Sequence, residues 1–349
     1  MSQELLVALL AAAGSAGGAL VTWRLARLLG AEDDPSPERK VHERRMPRLG
    51  GLAIAGGVAL ALGIAALAGW PGARRIVTVP APLVGLAAAG AVITIVGLLD
   101  DIAEIGPWTK LAGQAVAAAL AWSAGFRLEV IVLGPVRWPL GLLALPVTVL
   151  WFVTVMNALN LVDGLDGLAA SLALVAVAVL GVQAVRDGGP LASIVSWALG
   201  GALAGFLVHN LYPARQFMGS TGSLLLGLLL AALSLGTLRG RVGWDPAVAL
   251  PALGVPLVDL VLAFGRRVLR GVSPLRADRE HLHHRLLDAG LGHGRAVAVL
   301  VVLQAGFAAC ALAALALPPV ARPLALIPAM VLAVLSPRVP GWAGRGVAR

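Results

Sequence analysis

Long apolar runs constrain this chain more than any other feature. Eleven of them, each about 17 to 25 residues, lie at roughly 4–23, 50–69, 80–99, 108–124, 139–159, 168–185, 191–208, 221–238, 247–265, 296–316 and 319–336. A segment of that length spans the hydrocarbon core of a bilayer as a helix, and hydrocarbon offers no partner for an unsatisfied amide, so the helix is the form available to it. The expectation is an all-α integral membrane protein of 10 to 11 transmembrane helices, one polytopic domain over 1–349 with a short tail at 337–349. Only 13% of residues are charged, about half the share of a soluble domain. Abundant glycine and alanine suit close helix packing in lipid. Cys310, the single cysteine, lies in an apolar run and has no internal disulfide partner. The first run ends at Trp23, Arg24 and Arg27, as an anchor does rather than a cleaved leader.

Basic residues orient the spans. Loops on one side, with the tail, carry 19 of the 27 Lys and Arg, against 8 on the other. The richer side is expected to be cytoplasmic, which puts the N-terminus outside and the tail inside. The net charge of +9 is thereby explained without nucleic acid, and none is expected as a partner.

Five polar clusters fall on that same side. One of them, NALNLVDGLDG from Asn157 to Gly167, sets Asn157, Asn160, Asp163 and Asp166 at steps of three. Such steps drift by about 60° on a helix, so neighbours share a face while the first and last oppose. Gly164 and Gly167 suggest a helix end becoming a loop. Carboxylates at the edge of hydrocarbon are costly unless they meet a cation or a donor; the plainer reading is a polar cap and turn. Asp100 and Asp101 repel one another and are best kept beside a divalent cation, a lysine or a phosphate-bound metal, although an acidic helix end in water is an alternative. Lys110 either reaches back to that surface or snorkels from the next span.

In HLHHR, a helix would put His281, His284 and Arg285 on one face, ready to donate to a diphosphate. The arginines over 266–295 also suit a polybasic lipid contact, and zinc has little support because no HExxH or neighbouring Cys accompanies the histidines. Asp259, a charge within the ninth run, reads as packing or polar pairing. Carboxylates and amides for Mg²⁺ or Mn²⁺, basic groups for phosphates and a hydrocarbon-flanked position together describe phosphoryl transfer involving a lipid.

The motifs RKVHERRMPRLGGLAI, GLLDDIAEIGPWTK, NALNLVDGLDGLA, FMGSTGSLLLG and DREHLHHRLL, in this order, resemble the polyprenyl-phosphate N-acetylhexosamine 1-phosphate transferases over nearly the whole chain. PRLGG and HLHHR look closer to the branch using UDP-N-acetylglucosamine than to the phospho-MurNAc-pentapeptide branch. The resemblance implies an Mg²⁺-dependent enzyme of the bacterial inner membrane, multi-pass, with its active site facing the cytoplasm. It would move N-acetylhexosamine 1-phosphate from a UDP-sugar to undecaprenyl phosphate, releasing UMP, as the first membrane step of cell-envelope glycan synthesis such as lipopolysaccharide or teichoic acid. Self-association into a homodimer stays open.

Carried over by motif, Asp100 and Asp101 are implied as the catalytic acidic pair, and Lys110, His281, His283, His284 and Arg285 as phosphate contacts. Asn160 and Asp163 are implied near the metal, with Asp166, Asn210 and Phe217 around the uridine. One departure stands out: the family places a metal-binding aspartate where this chain has Ser220, and a hydroxyl is a poorer ligand for a hard dication. A catalytically impaired variant of the same enzyme is therefore one alternative. A secondary transporter is another, although it would hold ionisable residues near mid-membrane rather than at one end of the spans.

Overall fold

The computed structural model describes residues 2–33, 45–236, 238, 243–273 and 280–335. In chain order its elements begin with α1 (Gln3–Leu29), then β1 (Glu32–Asp33) paired with β2 (Met46–Pro47), α2 (Gly50–Leu67), α3 (Arg74–Thr78), α4 (Ala81–Ala103) and α5 (Pro107–Ser123). A hairpin of β3 (Val130–Leu133) and β4 (Val136–Pro139) leads into α6 (Ala144–Val162), α7 (Leu168–Arg186), α8 (Pro190–Asn210) and α9 (Gly219–Ser234). The chain continues through α10 (Pro246–Ala252), α11 (Gly254–Leu269), α12 (Leu282–Asp288), α13 (His293–Ala316) and α14 (Leu326–Leu335).

A helix lies over each of the eleven expected runs, as an all-α membrane protein requires. Among the described residues seven helices are long and apolar enough to cross a membrane, or eight if α10 and α11 count as one bent span. The expected tail at 337–349 and the residues Arg39 to Arg44 lie outside the described residues.

The short helix α9 is the centre of the bundle. Residues Thr221 to Leu228 are buried on every side, the pattern of a helix enclosed by other helices. Glycine lets the backbones around it close up: a Cβ on Gly51 of α2 would fall 2.2 Å from the Gly222 Cα, and one on Gly97 of α4 would fall 2.4 Å from the Thr221 Cα. The first turn of α9 is therefore clamped by α2 and α4.

The span expected at 247–265 is broken. α10 and α11 meet at 81°. Pro256 has no N–H to give the Ala252 carbonyl, and that oxygen instead accepts from Gln304 Nε2 at 2.8 Å. Val255 N–H, also released by the bend, donates to Gln304 Oε1 at 2.9 Å. One buried amide on α13 thus satisfies both groups that the break exposes, as irregular backbone at membrane depth demands.

The hairpin marks the end of the bundle opposite the polar clusters. Trp244 extends it, donating its N–H to the Val130 carbonyl and accepting from Val132 N–H, both at 2.8 Å.

Candidate active site

Polar side chains from α4, α5, α6, α9, α11, α12 and the intervening loops meet at one end of the bundle. α4 runs on through Ala103, so Asp100 and Asp101 sit on its last turn, and a step of about 100° turns them to different neighbours. Asp100 Oδ2 accepts from Lys110 Nζ at 2.8 Å and from Ser220 Oγ at 2.5 Å. Asp101 is buried and faces the start of α9. Its Oδ1 accepts from Ser220 N–H at 2.8 Å, and its Oδ2 from Thr221 N–H at 3.0 Å and Thr221 Oγ1 at 2.7 Å. It thus acts as an N-cap supplied from another helix, contributing about 1 kcal/mol or more to holding the Ser220 turn. Gly219 enters that turn at φ 73°, where a Cβ would strike the Arg48 carbonyl oxygen.

Asn160, near the end of α6, donates from Nδ2 to Ser223 Oγ at 2.9 Å and lies 3.4 Å from Ser220 Oγ. Asn157, one turn earlier, instead forms a reciprocal amide pair with the buried Gln114 of α5, at 2.6 and 3.3 Å. The polar series therefore divides, as a drifting three-residue step requires.

Asp163 closes α6. Burial, together with the neighbouring Asp101 and Asp166 carboxylates, pushes its carboxyl up to about 7, against an opposing pull from Arg48. Among the described residues none donates a hydrogen bond to it. Asp166 is differently placed: its Oδ2 accepts from Ala214 N–H at 2.9 Å, and its own N–H donates to His293 Nε2 at 2.9 Å. Asn210 accepts from Gly167 N–H at 3.2 Å and donates to the Gln216 carbonyl at 2.9 Å. Asp166 and Asn210 thereby tie the loop after α6 to the loop after α8. Phe217 belongs to this second loop and is fixed by its backbone, with its N–H on the Pro47 carbonyl at 2.8 Å and its carbonyl on Gly50 N–H at 3.0 Å.

The histidine segment lies against the same loop. A Cβ on Gly164 would come within 2.3 Å of His283 Nε2. His283 is tilted against His284, with centroids 4.2 Å apart, and lies parallel to His281 at 5.9 Å. Burial, then the neighbouring His284, hold His283 down to about 3, so it is neutral at pH 7 and can offer a hydrogen bond but no charge. Burial and Arg266 lower Arg285 from the usual guanidinium value, and it keeps its charge at pH 7. The intramembrane Asp259 is paired, facing His281 Nδ1 at 3.0 Å.

Three contributors escaped the sequence reading. Gln114 looked like one polar residue in an apolar run. Thr221 stood within the FMGSTGSLLLG motif but was not singled out there. His293 is half-buried, stacks on Tyr212 at 4.5 Å and accepts from the Asp166 amide; a histidine directly after Gly292 at a helix start was the available signal.

Among the described residues no three His, Cys, Asp or Glu side chains gather at metal-holding spacing. The donor set does suit a partial Mg²⁺ site. Mg²⁺ commonly takes one or two carboxylates and fills its other positions with water and phosphate oxygens. Among the described residues no group donates a hydrogen bond to the Asp163 carboxylate, and Asn160 and Ser220 lie close to one another on α6 and α9.

The fold and this end of it define a polytopic membrane protein with a partly buried acidic and basic site at one end of its helices. Residues 83–237 match the family model for glycosyl transferase family 4. The chain is 36% identical to a Bacillus subtilis protein named "Probable undecaprenyl-phosphate N-acetylglucosaminyl 1-phosphate transferase", over 81% of this chain and 76% of that one. It is 38% identical to the decaprenyl-phosphate N-acetylglucosaminephosphotransferase of Mycolicibacterium smegmatis, covering 78% and 72%. It is 30% identical to the undecaprenyl-phosphate alpha-N-acetylglucosaminyl 1-phosphate transferase of Escherichia coli K12, covering 82% and 77%. The chain belongs to glycosyl transferase family 4. The secondary-transporter alternative finds no support in this family or these relatives.

Proposed function

We propose that this protein transfers N-acetylglucosamine 1-phosphate from UDP-N-acetylglucosamine to undecaprenyl phosphate, releasing UMP, at the cytoplasmic face of the bacterial inner membrane. The observation that carries this reading is the meeting of Asp100, Lys110, Asn160, Asp163, Ser220 and the His281–Arg285 segment at one end of an apolar bundle. A phosphate on a long hydrocarbon chain and a soluble sugar nucleotide can both reach such a place. The excess of basic residues on that side supports a cytoplasmic orientation with the N-terminus outside.

In the reaction an oxygen of the lipid phosphate forms a bond to the β-phosphorus of the donor while the bond to UMP breaks. A phosphate monoester with a second pKa near 6 is largely dianionic at pH 7, so the attacking oxygen needs no strong base. Lys110, steered by Asp100, holds that phosphate. Asp101 keeps the Ser220 turn in place. Arg285 supplies positive charge to the diphosphate, and neutral His283 supplies a hydrogen bond beside Gly164. Asp166, Asn210 and Phe217 shape the pocket wall for the uridine. Asp163, with Asn160 and Ser220, would hold Mg²⁺ or Mn²⁺, which when bound offsets charge on the diphosphate.

The test is incubation of purified protein with radiolabelled UDP-N-acetylglucosamine, undecaprenyl phosphate and Mg²⁺. A lipid-linked, labelled product with equimolar UMP is expected. Its absence with this and other UDP-N-acetylhexosamines would remove the proposal.

A further inference from the structure

Asp259 is a buried charge to which the transfer reaction gives no task. It is 0% exposed on α11, in a segment flanked by hydrocarbon, where a carboxylate is retained only with partners. Both of its oxygens point at the histidine segment. Oδ1 accepts from Leu282 N–H at 2.8 Å, and Oδ2 faces His281 Nδ1 at 3.0 Å. An ionised carboxylate accepts and does not donate, so this pairing puts a proton on Nδ1 and leaves Nε2 as the ring nitrogen turned away from Asp259. The His281 ring in turn lies parallel to His283, which rests on Gly164 beside Asp163.

A second clasp joins the same two segments on the exposed side. Arg266 donates to the Glu280 carbonyl at 2.8 Å, and Arg270 Nη2 meets Glu280 Oε2 at 3.1 Å. The histidine segment is therefore moored to α11 independently of Asp259. What Asp259 adds is control of one ring.

We propose that Asp259 is a positioning residue for the transfer reaction: it fixes the tautomer and orientation of His281 from within the membrane, so that Nε2 is the atom presented toward the diphosphate. A carboxylate behind an imidazole has this effect wherever the ring must meet substrate through a chosen nitrogen. The inference rests on the transferase reading for its function, although not for its geometry.

Two measurements test it. The first is nitrogen-15 spectroscopy of histidine-labelled protein, with His281 assigned by its loss in His281→Gln. Nδ1 of His281 is expected to carry a proton; a lone pair there would overturn the proposal, whatever the protein catalyses. The second is a double-mutant cycle. In Asp259→Asn the amide oxygen still accepts from Leu282 N–H, while its NH₂ faces His281 and imposes the opposite tautomer. Turnover is expected to fall about 10- to 100-fold with the KM for lipid phosphate unchanged, and no further loss is expected when the change is made in His281→Gln. Equal losses in both backgrounds, or full activity in Asp259→Asn, would refute the role. If Asp259→Asn does not fold, the spectroscopic result on unaltered protein decides alone. Lack of any lipid-linked product from the unaltered chain would count against the transferase reading and leave the ring measurement standing.

Discussion

Partly buried charge is handled oppositely at the two ends of this bundle. At the hairpin end Asp245 caps α10 through Ala247 N–H at 3.0 Å, and its other oxygen meets Arg322 at 3.0 Å. Acid and base complete one another there. At the opposite end Lys110 is matched with Asp100 and Arg48 with Asp33, while Asp163 has acidic neighbours and no donor among the described residues. The difference separates charge that the fold settles internally from charge that, in the transfer proposed above, is met by a cation or substrate.

The largest test of this contrast adds to the surplus. Ser220→Asp would place a carboxylate beside Asp100 and Asn160, and Mg²⁺-dependent turnover is expected to rise by about a hundredfold or more. Unchanged activity would show that the cation does not sit between α6 and α9. Removing the surplus should do the reverse: Asp163→Asn is expected to slow transfer about a hundredfold while the melting temperature holds or rises, since a neutral amide no longer resists burial. A fall in both would mean that Asp163 is structural.

At the hairpin end the expectation is inverted. Arg322→Met removes the guanidinium partner of Asp245 and should cost about 1 to 2 kcal/mol of stability, read by thermal unfolding, with turnover per folded molecule unchanged. The last test is a pH slope, gentle over any single pH unit. His283 binds a proton less readily when folded than the ordinary value of 6.5, near 3 instead, so the unfolded chain takes up the proton first on acidification. Its stabilising contribution is present above about pH 6.5 and declines by at most about 1.4 kcal/mol per unit as pH falls toward 3. His283→Gln should flatten that part of the stability profile.

Much of this was legible in the sequence because hydrocarbon permits few alternatives. Long apolar runs became helices, and the motifs clustered at one end of the spans met there in space. Adjacent residues with separate fates were not legible. Asp100 and Asp101 are chemically alike in a sequence, yet one helical step sends one to a lysine and the other to the amides of α9. The break at Leu253 was hidden for a related reason: the prolines are visible, but the side chain that makes a bend there tolerable is Gln304, on α13. His293 and Gln114 likewise acquire meaning only from the partners that long-range packing brings to them.

The glycine crossing of α2, α4 and α9 carries a consequence for selectivity. With backbone pressed on backbone, the turn bearing Ser220 has no slack to adapt its shape to different sugars. For the transfer proposed above, discrimination among donors is then expected in the outlying loops, and exchanging the 266–295 region between relatives should transplant preference while the chemistry stays where it is.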